Sequence, residues 1–273
     1  MRLPAALALV LCACGPGLPT EAPAKDVVRC TDDGTTVSCL HQSKSLPERN
    51  VQWQVPAGDA PAAGWPVVIV FHGSFVGVGP SWDAKQGDKW GAYFLAQTSK
   101  ALLEQGYAVL TPQSIHDGNW FWNTNVVGYL DNWNSSPDSL LMTQLLEAIG
   151  DGSFGPLDAT RLYATGISSG GYMTSRMAVS YAGRFKALAV HSASYATCNG
   201  VTCGVPELPA DHPPTLLLHG ETDNIVPIAT MRAYETKLKE QGLVVETEVS
   251  ATAGHEWQGA AVARVPAWFS AHP

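Results

Sequence analysis

Short apolar runs recur along the chain at Val67–Phe71, Tyr107–Thr111, Arg161–Thr165, Lys186–His191, Pro214–His219 and Leu243–Val249. Rich in β-branched residues and bounded by turn formers, they predict strands. Between them lie stretches with helical periodicity at Trp90–Gln105, Ser139–Ile149, Gly171–Ala182, Ile228–Gln241 and Gly259–Phe269. Strand alternating with helix predicts an α/β fold, a mostly parallel sheet with helices on both faces. Val67-Val68-Ile69-Val70-Phe71 has no polar alternation, as a strand covered on both sides requires. Upstream, Val51-Gln52-Trp53-Gln54-Val55 alternates strictly, and residues 27–55 therefore predict leading antiparallel strands. Residues 112–137 show no period and are rich in Trp, Asn and Asp, which predicts a long loop or small cap of functional importance. Asn123 and Asp138 are its candidate internal fasteners.

Composition narrows the class. The 273 residues are 45% hydrophobic and 15% charged, enough apolar material for one full core. The net charge of −8 comes without any basic run, which argues against nucleic acid as a partner. Residues 1–13 open with Met1-Arg2 and continue apolar, too short to span a membrane, and are expected to be an export signal. Leu11-Cys12-Ala13-Cys14-Gly15 resembles a lipobox, which makes Cys14 the expected lipidated residue and a lipid anchor the expected membrane link. The alternative is an ordinary signal peptide cut nearby. Residues 14–27, with Pro16, Pro19 and Pro23, are expected to be a flexible tether ahead of one catalytic domain at 28–273. Cys30, Cys39, Cys198 and Cys203 remain; four cysteines allow three pairings, and the local pairs Cys30–Cys39 and Cys198–Cys203 each close a short polar loop. Export would make such bridges persistent. No spacing suggests a metal site and no cofactor is expected.

Four patches carry chemistry. Gly166-Ile167-Ser168-Ser169-Gly170 joins a predicted strand to a predicted helix. A serine on so sharp a turn tolerates little bulk two positions either side, so glycines belong there. Ser168 is the candidate nucleophile, and the N–H of Ser169 at the helix start is the first candidate oxyanion donor. Phe71-His72-Gly73-Ser74 follows the buried strand; Ser74 N–H is the second candidate donor, Gly73 permits close approach of substrate, and His72 is read as supporting the loop. Asp223, in His219-Gly220-Glu221-Thr222-Asp223, lies just past a late strand and is the candidate acid, with Glu221 as runner-up. Of 8 histidines, only His255 follows both Ser168 and Asp223 on the last strand-to-helix loop, and it is the candidate general base. The order Ser, Asp, His is that of α/β-hydrolases.

Gly166-Ile167-Ser168-Ser169-Gly170-Gly171-Tyr172-Met173-Thr174 resembles the elbow of the polyhydroxybutyrate depolymerase and feruloyl esterase group of α/β-hydrolases. Gly254-His255-Glu256-Trp257-Gln258-Gly259 is similar to that group's Gly-His-x-Trp-Pro-Gly, with Gln258 in place of proline. The resemblance, spanning residues 64–270 in motif order, implies an exported serine esterase. Its substrate would be a polyhydroxyalkanoate-type polyester or feruloyl and acetyl esters of polysaccharide. Trp257, beside His255, is expected to line the site, and Trp120, Phe121, Trp122 and Trp133 to form an apolar platform or else to pack their loop onto the core. Two other readings remain at this level: a peptidase of the prolyl-oligopeptidase type, and a catalytically silent lipid-anchored binding protein.

Overall fold

Residues 28–47, 49–114, 121–126, 128–129, 132–198 and 203–273 are described by the structure, a computed structural model. The expected signal segment, Cys14, the tether and Trp120 lie outside the described residues. Among the described residues no helix is long and apolar enough to cross a membrane.

The chain enters through β1 (Cys30–Asp32) and β2 (Thr36–Cys39), an antiparallel pair with Cys30 opposite Cys39 and the two joined by a disulfide. The hairpin β3 (Gln42–Leu46) and β4 (Arg49–Gln54) follows, then the central strand β5 (Trp65–Phe71). β6 (Asp83–Lys85) completes a three-stranded sheet with β1 and β2. Nothing in Asp83-Ala84-Lys85 predicts a strand; pairing with β2 imposes it. Then come α1 (Ala92–Glu104), β7 (Ala108–Pro112), α2 (Pro137–Gly150), β8 (Leu157–Ile167), α3 (Ser169–Ser180) and β9 (Phe185–His191). The chain closes with β10 (Thr215–Gly220), α4 (Ile228–Glu240), β11 (Val245–Ser250) and α5 (Ala261–Ala271). β8 begins four residues before the expected Arg161, because Leu157 pairs with Trp65 across a register shift.

The main sheet has eight strands in the order β11-β10-β9-β8-β5-β7-β4-β3. β5 and β7 to β11 run parallel, while β3 and β4 extend the edge antiparallel. This is the α/β-hydrolase architecture. Alternation along β5 builds two cores at once. Val68 and Val70 join the apolar cluster with α1 and α5; Val67, Ile69 and Phe71 join the cluster with α2 and α3. Both sets are out of water, which is why the run has no polar positions. α2 starts cleanly: Pro137 opens it and Ser136 Oγ accepts the Ser139 N–H at 3.0 Å.

Register sets the level of the site. Phe71 pairs with Gly166, and Ile167 with His191. The carboxyl ends of three central strands therefore stop side by side, and the residues after them share one rim, where open α/β sheets bind ligands.

Candidate active site

Ser168 sits at the turn from β8 into α3 with φ 57° and ψ −124°, a conformation that costs a non-glycine residue roughly 1–3 kcal/mol. The surroundings hold it there. Its N–H donates to His191 O at 3.0 Å and its carbonyl accepts the Tyr172 N–H at 3.0 Å. Close approach needs the flanking glycines: a Cβ on Gly166 would lie 2.4 Å from Gly170 O, and one on Gly170 2.1 Å from Phe71 O. The spacing anticipated from sequence thus has a concrete cause, contact of α3 with the end of β5.

Asp223 and His255 meet. His255 Nδ1 lies 2.8 Å from Asp223 Oδ2, with Asp223 fully buried at its side chain and the His255 side chain 7% exposed. Burial pushes the Asp223 carboxyl pKa up, but the bond from His255 and the backbone N–H groups of Val226 and Ile225 outweigh it and hold the pKa below the ordinary value. Those N–H groups reach Asp223 Oδ1 at 2.8 and 2.9 Å. His219 lies beneath, its Nε2 2.8 Å from Val226 O and 3.5 Å from Asp223 Oδ2. Burial lowers its pKa, so near neutral pH it remains an uncharged support. Glu221, the runner-up acid, is exposed.

With Nδ1 engaged by Asp223, His255 keeps Nε2 for the cleft it shares with Ser168. That cleft, about 320 Å³, is lined by Gly73, Ser74, Phe75, Val76, Trp90, Ile167, Ser168, Ile225 and His255. A second cleft of about 320 Å³ lies against Ser74, Phe121, Asn125, Val126, Ser168, Ser169 and Tyr172. Ser168 and Ser74 border both, and Ser169 the second, so the two expected oxyanion donors flank the candidate nucleophile.

His72 holds the donor loop. Its Nε2 accepts the Ser114 N–H at 3.1 Å, which leaves Nδ1 protonated to donate to Gly73 O at 2.8 Å. Its own carbonyl accepts the Trp122 Nε1–H at 2.9 Å.

Two tryptophans expected to meet substrate are placed elsewhere. Trp122 is fully buried: its ring packs edge-on to Phe71, and its backbone N–H donates to Ser169 Oγ at 2.9 Å. Trp257 is also fully buried, stacked on His191 at 3.6 Å between centroids and donating from Nε1 to Thr98 Oγ1. The helix α5 that follows pulls Trp257 under the sheet rim, so neighbourhood to His255 in sequence does not become neighbourhood in the cleft. Trp90 takes the expected place. Its ring meets the His255 ring edge-on at 5.8 Å, and its carbonyl accepts the Trp257 N–H at 2.9 Å. A Cβ on the next residue, Gly91, would sit 2.1 Å from Trp257 O, so the approach depends on glycine. Sequence reasoning missed Trp90, Phe75, Val76 and Ile225. Proximity to Ser74 and Asp223 signalled the last three, whereas Trp90 carried no local signal.

The cap segment after β7 is latched from three sides. Asp138 Oδ2 accepts the Asn123 N–H at 2.6 Å while Oδ1 pairs with Arg49. Arg176 donates to Thr124 O and Oγ1, each at 2.9 Å. Thr124 Oγ1 bonds Ala196 O, and Asn125 Nδ2 bonds Cys198 O, the latter in a disulfide with Cys203.

No family model matches the chain. The poly(3-hydroxyoctanoate) depolymerase of Pseudomonas fluorescens is 46% identical over 243 residues, 87% of this chain and 86% of that protein. Among solved structures, the acetyl xylan esterase of Aspergillus awamori is similar with a TM-score of 0.61 at 16% identity, covering 85% of this chain and 99% of that one. The Bacillus cereus carboxylesterase gives 0.56 at 13% identity, over 83% and 96% of the two chains.

Proposed function

The chain belongs to the family of the Pseudomonas fluorescens poly(3-hydroxyoctanoate) depolymerase and is a carboxylic ester hydrolase; from that premise we propose that it is an exported serine esterase cleaving polyhydroxyalkanoate-type polyester. The observation that carries the mechanism is the 2.8 Å contact of His255 Nδ1 with buried Asp223, beside the strained Ser168 turn.

Ser168 Oγ attacks the ester carbonyl and its proton passes to His255 Nε2. Asp223 fixes the ring orientation and stabilises the imidazolium. The N–H groups of Ser169 and Ser74 take up the developing oxyanion; each is worth about 3 kcal/mol of barrier. His255 then protonates the leaving alcohol, and water attacks the acyl-enzyme by the same proton route in reverse. Support for polyester over a polysaccharide ester is the depolymerase relative, together with a cleft between Ser168 and His255 that no Asp, Glu, Lys or Arg lines.

Export rests on the apolar N-terminal run, and the two disulfides fit an oxidising compartment. Lipidation at Cys14 would hold the enzyme at the cell envelope, and Cys14→Ser would release it into the soluble fraction. The catalytic reading is tested with a fluorophosphonate probe and a poly(3-hydroxyoctanoate) film. Wild type should be labelled and release 3-hydroxyacids, and Ser168→Ala should do neither. Equal labelling of both proteins would exclude Ser168 as the nucleophile.

A further inference from the structure

Resting on the ester-hydrolase reading, we propose that the two clefts meeting at Ser168 divide the substrate: the cleft of Phe121, Asn125 and Val126 takes the acyl half, and the cleft of Phe75, Trp90 and Ile225 takes the alcohol half.

Proton delivery decides which half goes where. In the first step the Ser168 Oγ–carbon bond forms and the carbon–oxygen bond to the alcohol breaks. The departing oxygen must take its proton from His255 Nε2, so the alcohol lies on the His255 side. His255 lines the first cleft and not the second. The carbonyl oxygen points to Ser74, which borders both clefts, and to Ser169 at the near end of the second. The remaining substituent on the carbonyl carbon, the acyl chain, is then directed into the second cleft. Water later replaces the alcohol on the same side, gives a proton to His255, and the acid leaves with the serine proton restored.

The linings differ in chemistry accordingly. Phe75, Trp90 and Ile225 are 69%, 46% and 50% exposed although large and apolar. An open apolar rim suits an alkyl-substituted alcohol whose chain continues out of the site. Asn125, its Nδ2 held by Cys198 O, adds a polar side chain to the second cleft beside Phe121 and Val126. That mixture suits an acyl chain with an oxygen substituent of its own, as a 3-hydroxyacyl group has. The second wall is also the one fixed by the Asp138, Arg176 and Cys198 contacts at Asn123, Thr124 and Asn125, so it presents a preset shape to the acyl group.

The test uses two ratios of kcat/KM, octanoyl over acetyl esters of one alcohol and octyl over methyl esters of one acid. Val126→Ala should lower the acyl ratio by about fivefold or more and leave the alcohol ratio within about twofold. Ile225→Ala should do the reverse. Val126→Thr, which preserves shape and adds a hydroxyl, should also lower the acyl ratio and serves if the truncation unfolds its segment. Exchanged effects, or variants that move neither ratio, would overturn the assignment alone. Absence of ester turnover in the wild type would overturn it together with the Ser168 reading.

Discussion

Asp223 shows how one side chain is tuned by its neighbours. Alone in its buried position it would resist ionisation; with two backbone N–H groups and His255 against it, it stays charged at neutral pH. Asp223→Asn keeps the shape and removes the charge that stabilises the imidazolium. A drop in kcat of about 10,000-fold with little change in KM is expected for a soluble nitrophenyl ester. A fall below tenfold would show that another group does the work. Gly170 is equally specific: its absent Cβ would overlap Phe71 O at 2.1 Å. Gly170→Ala must force α3 off the end of β5, and both melting temperature and turnover should fall. Wild-type behaviour in either would mean the elbow tolerates more room than this contact allows.

At the level of elements, the cap segment matters more than its lack of regular structure suggests. Asp138 on α2 ties the N–H of Asn123 to Arg49 on β4, so one carboxylate joins the cap, a helix and a sheet edge. Both side chains of that ion pair are essentially out of water. Removing one partner leaves the other charge buried and unpaired, at a cost of about 3–5 kcal/mol. Asp138→Ala should lose that much in urea unfolding, and the released cap should also disturb Ser169 through Trp122. Loss of stability without loss of kcat/KM would show that the latch serves folding alone. Asn123 and Asp138 were named from sequence as the candidate fasteners; Asp138 acts through its carboxylate, whereas Asn123 takes part through its backbone N–H. Arg49 and Arg176 were not named, since arginines on a strand and a helix far along the chain look like ordinary surface charges until the fold brings them in.

For the whole molecule, the buried histidines His191, His212 and His219 contribute to acid sensitivity. Burial lowers the pKa of His191 to about 3 and of His212 to about 4, both from an ordinary value of 6.5. The unfolded chain therefore takes up protons that the folded one refuses, and stability falls as pH drops from about 6.5 toward those values. The melting temperature should decline across that window, and His212→Gln, which removes one of these sites, should make the decline shallower. An unchanged slope would assign the acid sensitivity to other groups.

The sequence by itself determined the strand–helix rhythm, the turn that carries Ser168, and the chain order of Ser168, Asp223 and His255, while leaving open which of three ways the four cysteines pair. The rhythm and the turn are matters of residues near one another along the chain, where periodicity and turn sterics leave a mark, and the chain order follows from each residue's place just past a strand. Only the tertiary structure decided that Trp90 and not Trp257 faces His255, that Trp122 is a buried prop, and that β6 is a strand at all. The first depends on which surfaces meet when α1 and α5 pack on one face of the sheet, the second on the opposite face where Trp122 joins α2 and α3, and the third on pairing with β2. Such meetings are settled by long-range packing, which local sequence does not encode.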